Sequence, residues 1–449
     1  MENNVYAFNN SQDIVTLQTK YSLFKRVINI IFSVTVEDGF DPALMHRAID
    51  LLIVRNDCLR LREIREGKDA RLVFDPERRI GRIPERSFDT SARFDAFLKR
   101  FRKAPTDLRK GKALEALFGT DPTGKQFILF KISHMVADTY GIGVLVGDLF
   151  KVYEALKEGR DLPPAPGSFE TVLKNDNAFK DNPEAVAKDR AFFEEYFTKR
   201  HPDRPLYCGI HGNGSDRWLK CKRKGAISLP YLFVKCDTEG YRFTIPAAVT
   251  LPVQAWCAEH GVTMNSFFFY TCVVATSLLN DRARFQTPLE LLNNRGSLAE
   301  RKAAGTKVQS LSVYSTVDYG KSFLDNVLQL ADEQKEIYKH TRLTYVEVEA
   351  LMHKIYDYSM LGQTTSFCFS FIPMSTPKGI SLRVHSNGKG ALVTYIAMMH
   401  DIETNEIETV YDIQTEMVTP QQLVDFQNLW IHVVECVLAR PDVPMKELF

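Results

Sequence analysis

Phe127-Ile128-Leu129-Phe130-Lys131-Ile132-Ser133-His134-Met135-Val136-Ala137-Asp138-Thr139-Tyr140-Gly141 is an apolar run that ends in a histidine, with an aspartate four residues further on. The part from Gln126 to Ser133, rich in Phe, Ile and Leu, reads as a largely buried strand, and Gly141 to Leu156 carries apolar residues at helical spacing. His134 then stands at a strand end before a turn into a helix, which is where α/β scaffolds gather their ligand sites. Its imidazole, with an ordinary pKa of about 6.5, can take a proton from an amine or hydroxyl near neutral pH. Two readings stay open: a satisfied core histidine beside a helix N-cap at Asp138, or a reacting imidazole with Asp138 fixing the loop or balancing a buried cation.

Outward from this stretch, strand and helix signals alternate. A strand is expected near Ile28 to Val36, helices near Pro42 to Val54 and Ala92 to Arg102, then two strands flanking Gly119 to Lys125. Gly119-Thr120-Asp121-Pro122-Thr123-Gly124-Lys125-Gln126 nearly spells a phosphate-binding loop. Gln126, however, replaces the Ser or Thr that would bind magnesium, and a strand follows where such a loop needs a helix, so the segment reads as a hairpin turn. Leu162-Pro163-Pro164-Ala165-Pro166-Gly167 cannot extend the preceding helix and reads as the start of a linker. A charged helical stretch near Pro183 to Arg200 and an irregular region around His211-Gly212-Asn213-Gly214-Ser215 follow. The strand Tyr241 to Ile245, a helix near Pro252 to His260 and a long apolar helix from Thr263 to Asn280 then open a second half.

The 449 residues are enough for two domains of about 200 residues each. Lys and Arg number 57 against 56 Asp and Glu, a net charge of +1 that exerts no global pull on nucleic acid or an anionic membrane. Eight cysteines (Cys58, Cys208, Cys221, Cys236, Cys257, Cys272, Cys368, Cys436) form no CxxC pair and read as reduced, mostly buried residues of a cytoplasmic protein. The start MENNVYAFNNSQD lacks the pattern of a signal peptide, and no apolar run reaches the roughly 18 residues of a membrane span.

His134 to Asp138 and its flanks resemble the HHxxxDG motif of the condensation domains of nonribosomal peptide synthetases, members of the chloramphenicol-acetyltransferase-like acyltransferase superfamily. Val27 to Arg62 resembles the family's opening strand, helix and RHxxLR strand, with Asn56 where a His is often seen. Pro288 to Leu298 resembles its second-lobe segment around an Asn-Arg pair, here Asn294-Arg295, and Tyr411 to Leu448 resembles the closing strand, helix and Pro-containing tail. The landmarks run in the family's order from about residue 20 to the end. Two positions depart from the pattern: Ser133 replaces the first His, and Thr139 replaces the Gly after the Asp. Neighbouring strand residues point to opposite faces, so Ser133 and His134 do not read as a nucleophile pair.

The resemblance implies an α/β (α+β) fold of two acetyltransferase-like lobes arranged in a V, with the active site in a tunnel between them. The expected division is 1–165 for the first lobe, 166–240 for linker and irregular region, and 241–449 for the second lobe. It further implies that His134 serves the reaction, as general base or by positioning the nucleophile, and that Asp138 pairs with Arg295, whose plain alternative is a solvated helix cap. Thr139 and Gly141 then flank the site, and Ser133, Ser366 and Ser370 are candidate tunnel residues, the last two on the strand-like Thr365 to Met374. No GxSxG elbow or Cys-His pair suggests an acyl-enzyme. Acyl or aminoacyl groups would pass directly from a phosphopantetheine thioester, on a carrier protein or coenzyme A, to an amine or hydroxyl acceptor, giving an amide or ester. No metal and no bound cofactor are called for, and a monomer is expected, either a stand-alone enzyme or a module cut from a larger synthetase, without nucleic-acid or membrane partners. The basic clusters Arg78-Arg79, Lys99-Arg100-Arg102-Lys103 and Lys220-Lys222-Arg223-Lys224 read as solvated faces or as docking points for an acidic carrier protein. The other class of function that the departures at Ser133 and Thr139 leave open is a non-catalytic domain that docks carrier proteins or recruits a tailoring enzyme.

Overall fold

The computed structural model describes residues 4–212, 236–358, 364–365, 367–390 and 392–449. In chain order its elements begin α1 (Asn10–Tyr21), β1 (Asn29–Val36), α2 (Pro42–Arg55), β2 (Leu61–Glu66), β3 (Asp69–Phe74), β4 (Glu85–Ser87), α3 (Ser91–Phe101), β5 (Leu114–Thr120), β6 (Gln126–Ser133), α4 (Thr139–Glu158), α5 (Phe169–Lys180) and α6 (Pro183–Glu195). They continue with β7 (Thr238–Ile245), α7 (Ala247–His260), α8 (Met264–Leu279), β8 (Phe285–Gln286), β9 (Leu289–Asn293), α9 (Leu298–Lys302), β10 (Val308–Ser312), β11 (Ser315–Thr316), α10 (Phe323–Ile337), α11 (Tyr345–Ile355), β12 (Cys368–Met374), β13 (Ile380–His385), β14 (Thr394–Asp401), β15 (Ile407–Gln414) and α12 (Pro420–Ala439). The chain forms two compact units.

The first unit comprises 1–182, 293–308 and 375–389. Its sheet has the order β13-β1-β6-β5-β4, antiparallel except for the β4–β5 pair. Both faces of β6 are covered, which is why its sequence is apolar throughout instead of alternating. Ile128, Phe130 and Ile132 face a core with Met45, Ile49 and Leu52 of α2 and Ile142, Leu145 and Leu149 of α4. Phe127 and Leu129 face a smaller cluster with Phe88, against which the α3 rings Phe94, Phe97 and Phe101 pack. The near-phosphate loop is the expected hairpin: β5 and β6 pair antiparallel to Thr120↔Gln126, and the Asp121 carboxylate accepts N–H bonds from Thr123 and Lys125 at 2.8 and 3.0 Å. Arg55 forks onto Asp148 (3.2 and 2.8 Å) and also donates to the carbonyls of Pro163 and Pro164, so the proline segment is tied to α2. Asn56 donates to the same Asp148 at 2.9 Å.

The second unit comprises 183–292, 309–374 and 390–449. Its sheet has the order β10-β9-β12-β14-β15-β7, with β12 parallel to β9 and β14 and the β14–β15–β7 pairs antiparallel. The long apolar helix α8 is its core: every residue from Ser266 to Ser277 is buried, and the indole of Trp430 on α12 donates to Thr271 Oγ1 at 2.9 Å. A helix buried all round needs no amphipathic stripe, which accounts for its continuous apolar sequence. Among the described residues no single helix is long and apolar enough to cross a membrane.

The units do not follow the expected division into 1–165, 166–240 and 241–449. Residues 293–308 and 375–389 return to the first unit, because β13 hydrogen-bonds to β1 along Ile31↔His385 to Val36↔Ile380. Within 166–240 the charged helix expected near Pro183 to Arg200 is present as α6, running into a π-helical turn at Tyr196–Arg200, and α5 is a further helix that the sequence does not predict. Seven cysteines are free, six buried and Cys436 half-buried; Cys221 lies outside the described residues.

Candidate active site

His134 follows the last residue of β6, the central strand of the sheet, and its main-chain N–H donates to the carbonyl of Ile28 at 2.8 Å, so its backbone is held by the end of the sheet. The residue is half-buried, but its Nδ1 is shut off from solvent and has no hydrogen-bond partner among the described residues. Burial lowers the pKa of the imidazole below its ordinary value, while its own main chain and the Asp138 charge pull in the opposite direction. The ring is therefore held in its neutral, proton-accepting form at neutral pH. Ser133, fully buried, accepts from the N–H of Met135 at 3.3 Å, so its hydroxyl serves the turn.

Asp138 is at once the N-cap of α4 and one half of a buried ion pair. Its Oδ1 accepts from the N–H of Gly141 at 2.7 Å, the usual work of an N-cap aspartate. The Arg295 guanidinium meets the same carboxylate with both ends, Nη1 to Oδ2 at 3.0 Å and Nη2 to Oδ1 at 3.1 Å. Both side chains are almost completely buried, 6% and 1% exposed, so the charges are compensated in place. Nη1 also donates to Asn293 Oδ1 (2.7 Å) and Nη2 to the Gly305 carbonyl (2.7 Å), while the buried Nε has no hydrogen-bond partner among the described residues, and the guanidinium carbon lies 4.7 Å from the centre of the Tyr140 ring. The Tyr140 hydroxyl in turn donates to the carbonyl of Arg301 at 2.9 Å.

Glycine is required where α4 starts. A Cβ on Gly141 would stand 2.5 Å from the carbonyl oxygen of Gly305, and Gly305 itself adopts φ +111° with the Phe169 ring where its own Cβ would go. The two glycines let the 305–307 turn approach close enough for the Lys307 N–H to reach Asp138 Oδ2 at 2.7 Å. Thr139 is the first helical residue after the cap and is half-buried.

Of the residues singled out in the sequence, His134, Asp138, Thr139, Gly141 and Arg295 thus share one neighbourhood of the first unit. Ser370 belongs to the second unit, buried on β12 with its hydroxyl 2.9 Å from that of Tyr395. Ser366 and the Lys220 to Lys224 cluster lie outside the described residues. Nothing in the sequence singles out Tyr140, Gly305 or Lys307. Two of them act through main-chain atoms, which leave no residue-type signature, and an aromatic beside a motif is too common to signal anything.

A family model described as the condensation domain matches residues 2–448. Among curated proteins, one of the plipastatin synthase proteins of Bacillus subtilis (strain 168) is 22% identical over 328 residues, 72% of this chain. A component of the linear gramicidin synthase of Brevibacillus parabrevis is 22% identical over 445 residues, 94% of this chain. The chain spans 12% and 5% of the length of these two relatives. Among solved structures, the first condensation domain of the calcium-dependent antibiotic synthetase, in complex with a substrate analogue, superposes with a TM-score of 0.80 at 16% identity over 99% of this chain and 98% of its own. A starter condensation domain of rhizomide synthetase in complex with C8-CoA gives a TM-score of 0.80 at 17% identity, covering 99% of this chain and 97% of its own. The condensation domain of the monacolin K polyketide synthase gives 0.81 at 12% identity, covering 98% and 99%. The fold is that of these domains, two lobes of the chloramphenicol-acetyltransferase type, and with the family model covering nearly every residue the chain belongs to the condensation-domain family.

Proposed function

We propose that the protein is a condensation-type acyltransferase, moving an acyl or aminoacyl group from a phosphopantetheine thioester to an amine or hydroxyl acceptor. The observation that carries this reading is the His134 imidazole, kept neutral by burial at the end of β6 beside the braced Asp138. In the step we envisage, the acceptor nitrogen or oxygen attacks the thioester carbonyl carbon, a C–N or C–O bond forms and the C–S bond breaks. His134 takes the proton of the attacking group, or holds that group in line, and the pantetheine thiolate leaves with a proton. Asp138 serves as a brace, since its oxygens are already committed to Arg295 and to two main-chain N–H groups. The donor's pantetheine arm supplies the thioester; a carrier protein or coenzyme A would bring it, in keeping with the synthetase relatives and the C8-CoA complex.

Thr139, half-buried where the family pattern has Gly, keeps a second reading in play, a carrier-docking domain without chemistry. Intact-mass detection of acyl transfer separates the two. Acyl-loaded carrier proteins and acyl-CoAs are offered with amine and alcohol acceptors, wild type beside His134→Ala. Product that vanishes in the variant supports the transferase. Inert wild type and variant that both bind a carrier protein would establish the docking module, and equal product from both would remove His134 from the reaction.

A further inference from the structure

Lys307 belongs to no motif, yet it is the point where the braces of this site meet. Its main-chain N–H donates to Asp138 Oδ2 at 2.7 Å, and its ammonium lies 2.6 Å from Asp176 Oδ1 and 2.9 Å from Glu300 Oε1. The Lys307, Asp176 and Glu300 side chains are 8%, 15% and 7% exposed, so this is a desolvated three-member cluster and not a surface pair. Glu300 Oε2 accepts from the N–H groups of Gly296 and Ser297, at 2.9 and 3.2 Å, immediately after Arg295. Burial pushes the Glu300 carboxyl up, but the bond and charge of Lys307 and these two N–H groups outweigh it and hold the group below the usual carboxylate range.

One ammonium therefore ties three stretches of backbone: α5 through Asp176, the start of α9 through Glu300, and the 305–307 turn through its own main chain. The turn, with glycine at 305 at φ +111°, is also held through its carbonyls: that of Gly305 accepts from Arg295 Nη2 and, at 3.4 Å, from the N–H of Asp138, that of Thr306 from Asn9 Nδ2 at 2.9 Å, and that of Lys307 from the N–H of Asn294 at 3.1 Å. The Lys307 ammonium is the contact that joins this turn to α5 and to the start of α9 at once.

We propose that Lys307 is a positioning residue of the transfer reaction: anchored by Asp176 and Glu300, it fixes the 305–307 turn, hence the Asp138 carboxylate and the 134–138 loop that presents the His134 ring. This rests on the reading of His134 as the reacting imidazole. A flexible point charge on a long stem is well suited to the task only while both carboxylates hold it; arginine can bridge the same two carboxylates, whereas an apolar stem cannot.

The test uses the full chain, labelled at histidine 13Cε1, with the His134 signal assigned by its loss in His134→Gln. Titrations of wild type, Lys307→Met and Lys307→Arg are compared after each variant is shown to melt cooperatively, and kcat and KM are measured for acyl transfer. Lys307→Met should move the His134 midpoint upward, because a loosened 134–138 loop lets water reach the ring and relieves the burial that lowers it. Its kcat should fall about tenfold with little change in KM, the size expected when a reacting group is slightly misplaced. Lys307→Arg should recover both. If Lys307→Met does not fold, Lys307→Gln takes its place, keeping a donor without the charge. A folded charge-free variant whose His134 titration and kcat match wild type overturns the proposal. A His134 signal that moves as expected, in a protein whose wild type transfers no acyl group, upholds the anchoring of the ring by Lys307 and sinks the transferase reading instead.

Discussion

The neutral state of His134 is a matter of where one ring sits. An imidazole at the free end of a strand in water would be half protonated near pH 6.5; here burial lowers that midpoint. A base must be unprotonated to work, so the acid limb of kcat/KM should lie below about 6.5 and activity should persist where a solvated histidine is already charged. The same shift bears on stability with the sign of a group whose folded pKa is depressed: its contribution is complete above the ordinary value and is lost as pH falls through the window below it. A pH–rate profile with its acid limb above the ordinary imidazole value would refute the assignment. Arg295 is the second decisive residue. Arg295→Met leaves the Asp138 carboxylate buried without its cation, and breaking one side of such a pair typically costs about 3–5 kcal/mol. A urea midpoint close to wild type would show that the Lys307 N–H and water suffice. The sequence made the His134, Asp138 and Arg295 grouping legible only through family resemblance, since 157 residues separate the two charged partners. Lys307, 169 residues from Asp138 and acting through its main chain, was beyond reach of any residue-type argument.

Elements were legible where their cause is local. The strand of β6, the helix of α4 and the hairpin between β5 and β6 follow from apolar periodicity and Asp-Pro-Thr-Gly turn chemistry, and all three stand within a few residues of expectation. The helix α5 did not announce itself, because its N-terminus is capped from afar: besides Ser168, the Asp57 carboxylate accepts from the N–H groups of Phe169 and Glu170, at 2.8 and 3.1 Å. The contact between the start of α4 and the 305–307 turn is equally non-local, and it sets a sharp prediction. Gly141→Ala places a methyl 2.5 Å from a backbone oxygen, so helix and turn must separate. Overpacking of this kind costs about 1–3 kcal/mol, and here it would also lengthen the bonds that hold Asp138. A lowered thermal midpoint together with reduced transfer is expected; an alanine variant that melts and reacts like wild type would mean the two backbones are not in close contact.

At the scale of the whole molecule, the alternation of strands and helices from β1 to α4 could be read, whereas α1, α5 and most elements between α8 and β15 could not, nor could the division into units. Hydrogen-bond partners decide that division, and β13, late in the chain, pairs with β1, near its beginning. The family model and the solved condensation domains agree on the fold from end to end, while the identities of 12–17% with those structures say nothing of the substrate. The chemistry therefore has to be measured. The most direct measurement is a single-turnover chase in which an acyl-loaded donor is mixed with excess enzyme and acceptor, and donor loss and product gain are followed by intact mass for wild type and His134→Ala. A wild-type transfer that slows by two orders of magnitude or more in the variant, about the lower bound for losing a general base, is the predicted result. Equal rates in the two proteins would contradict the central claim that this chain is a transferase working through His134.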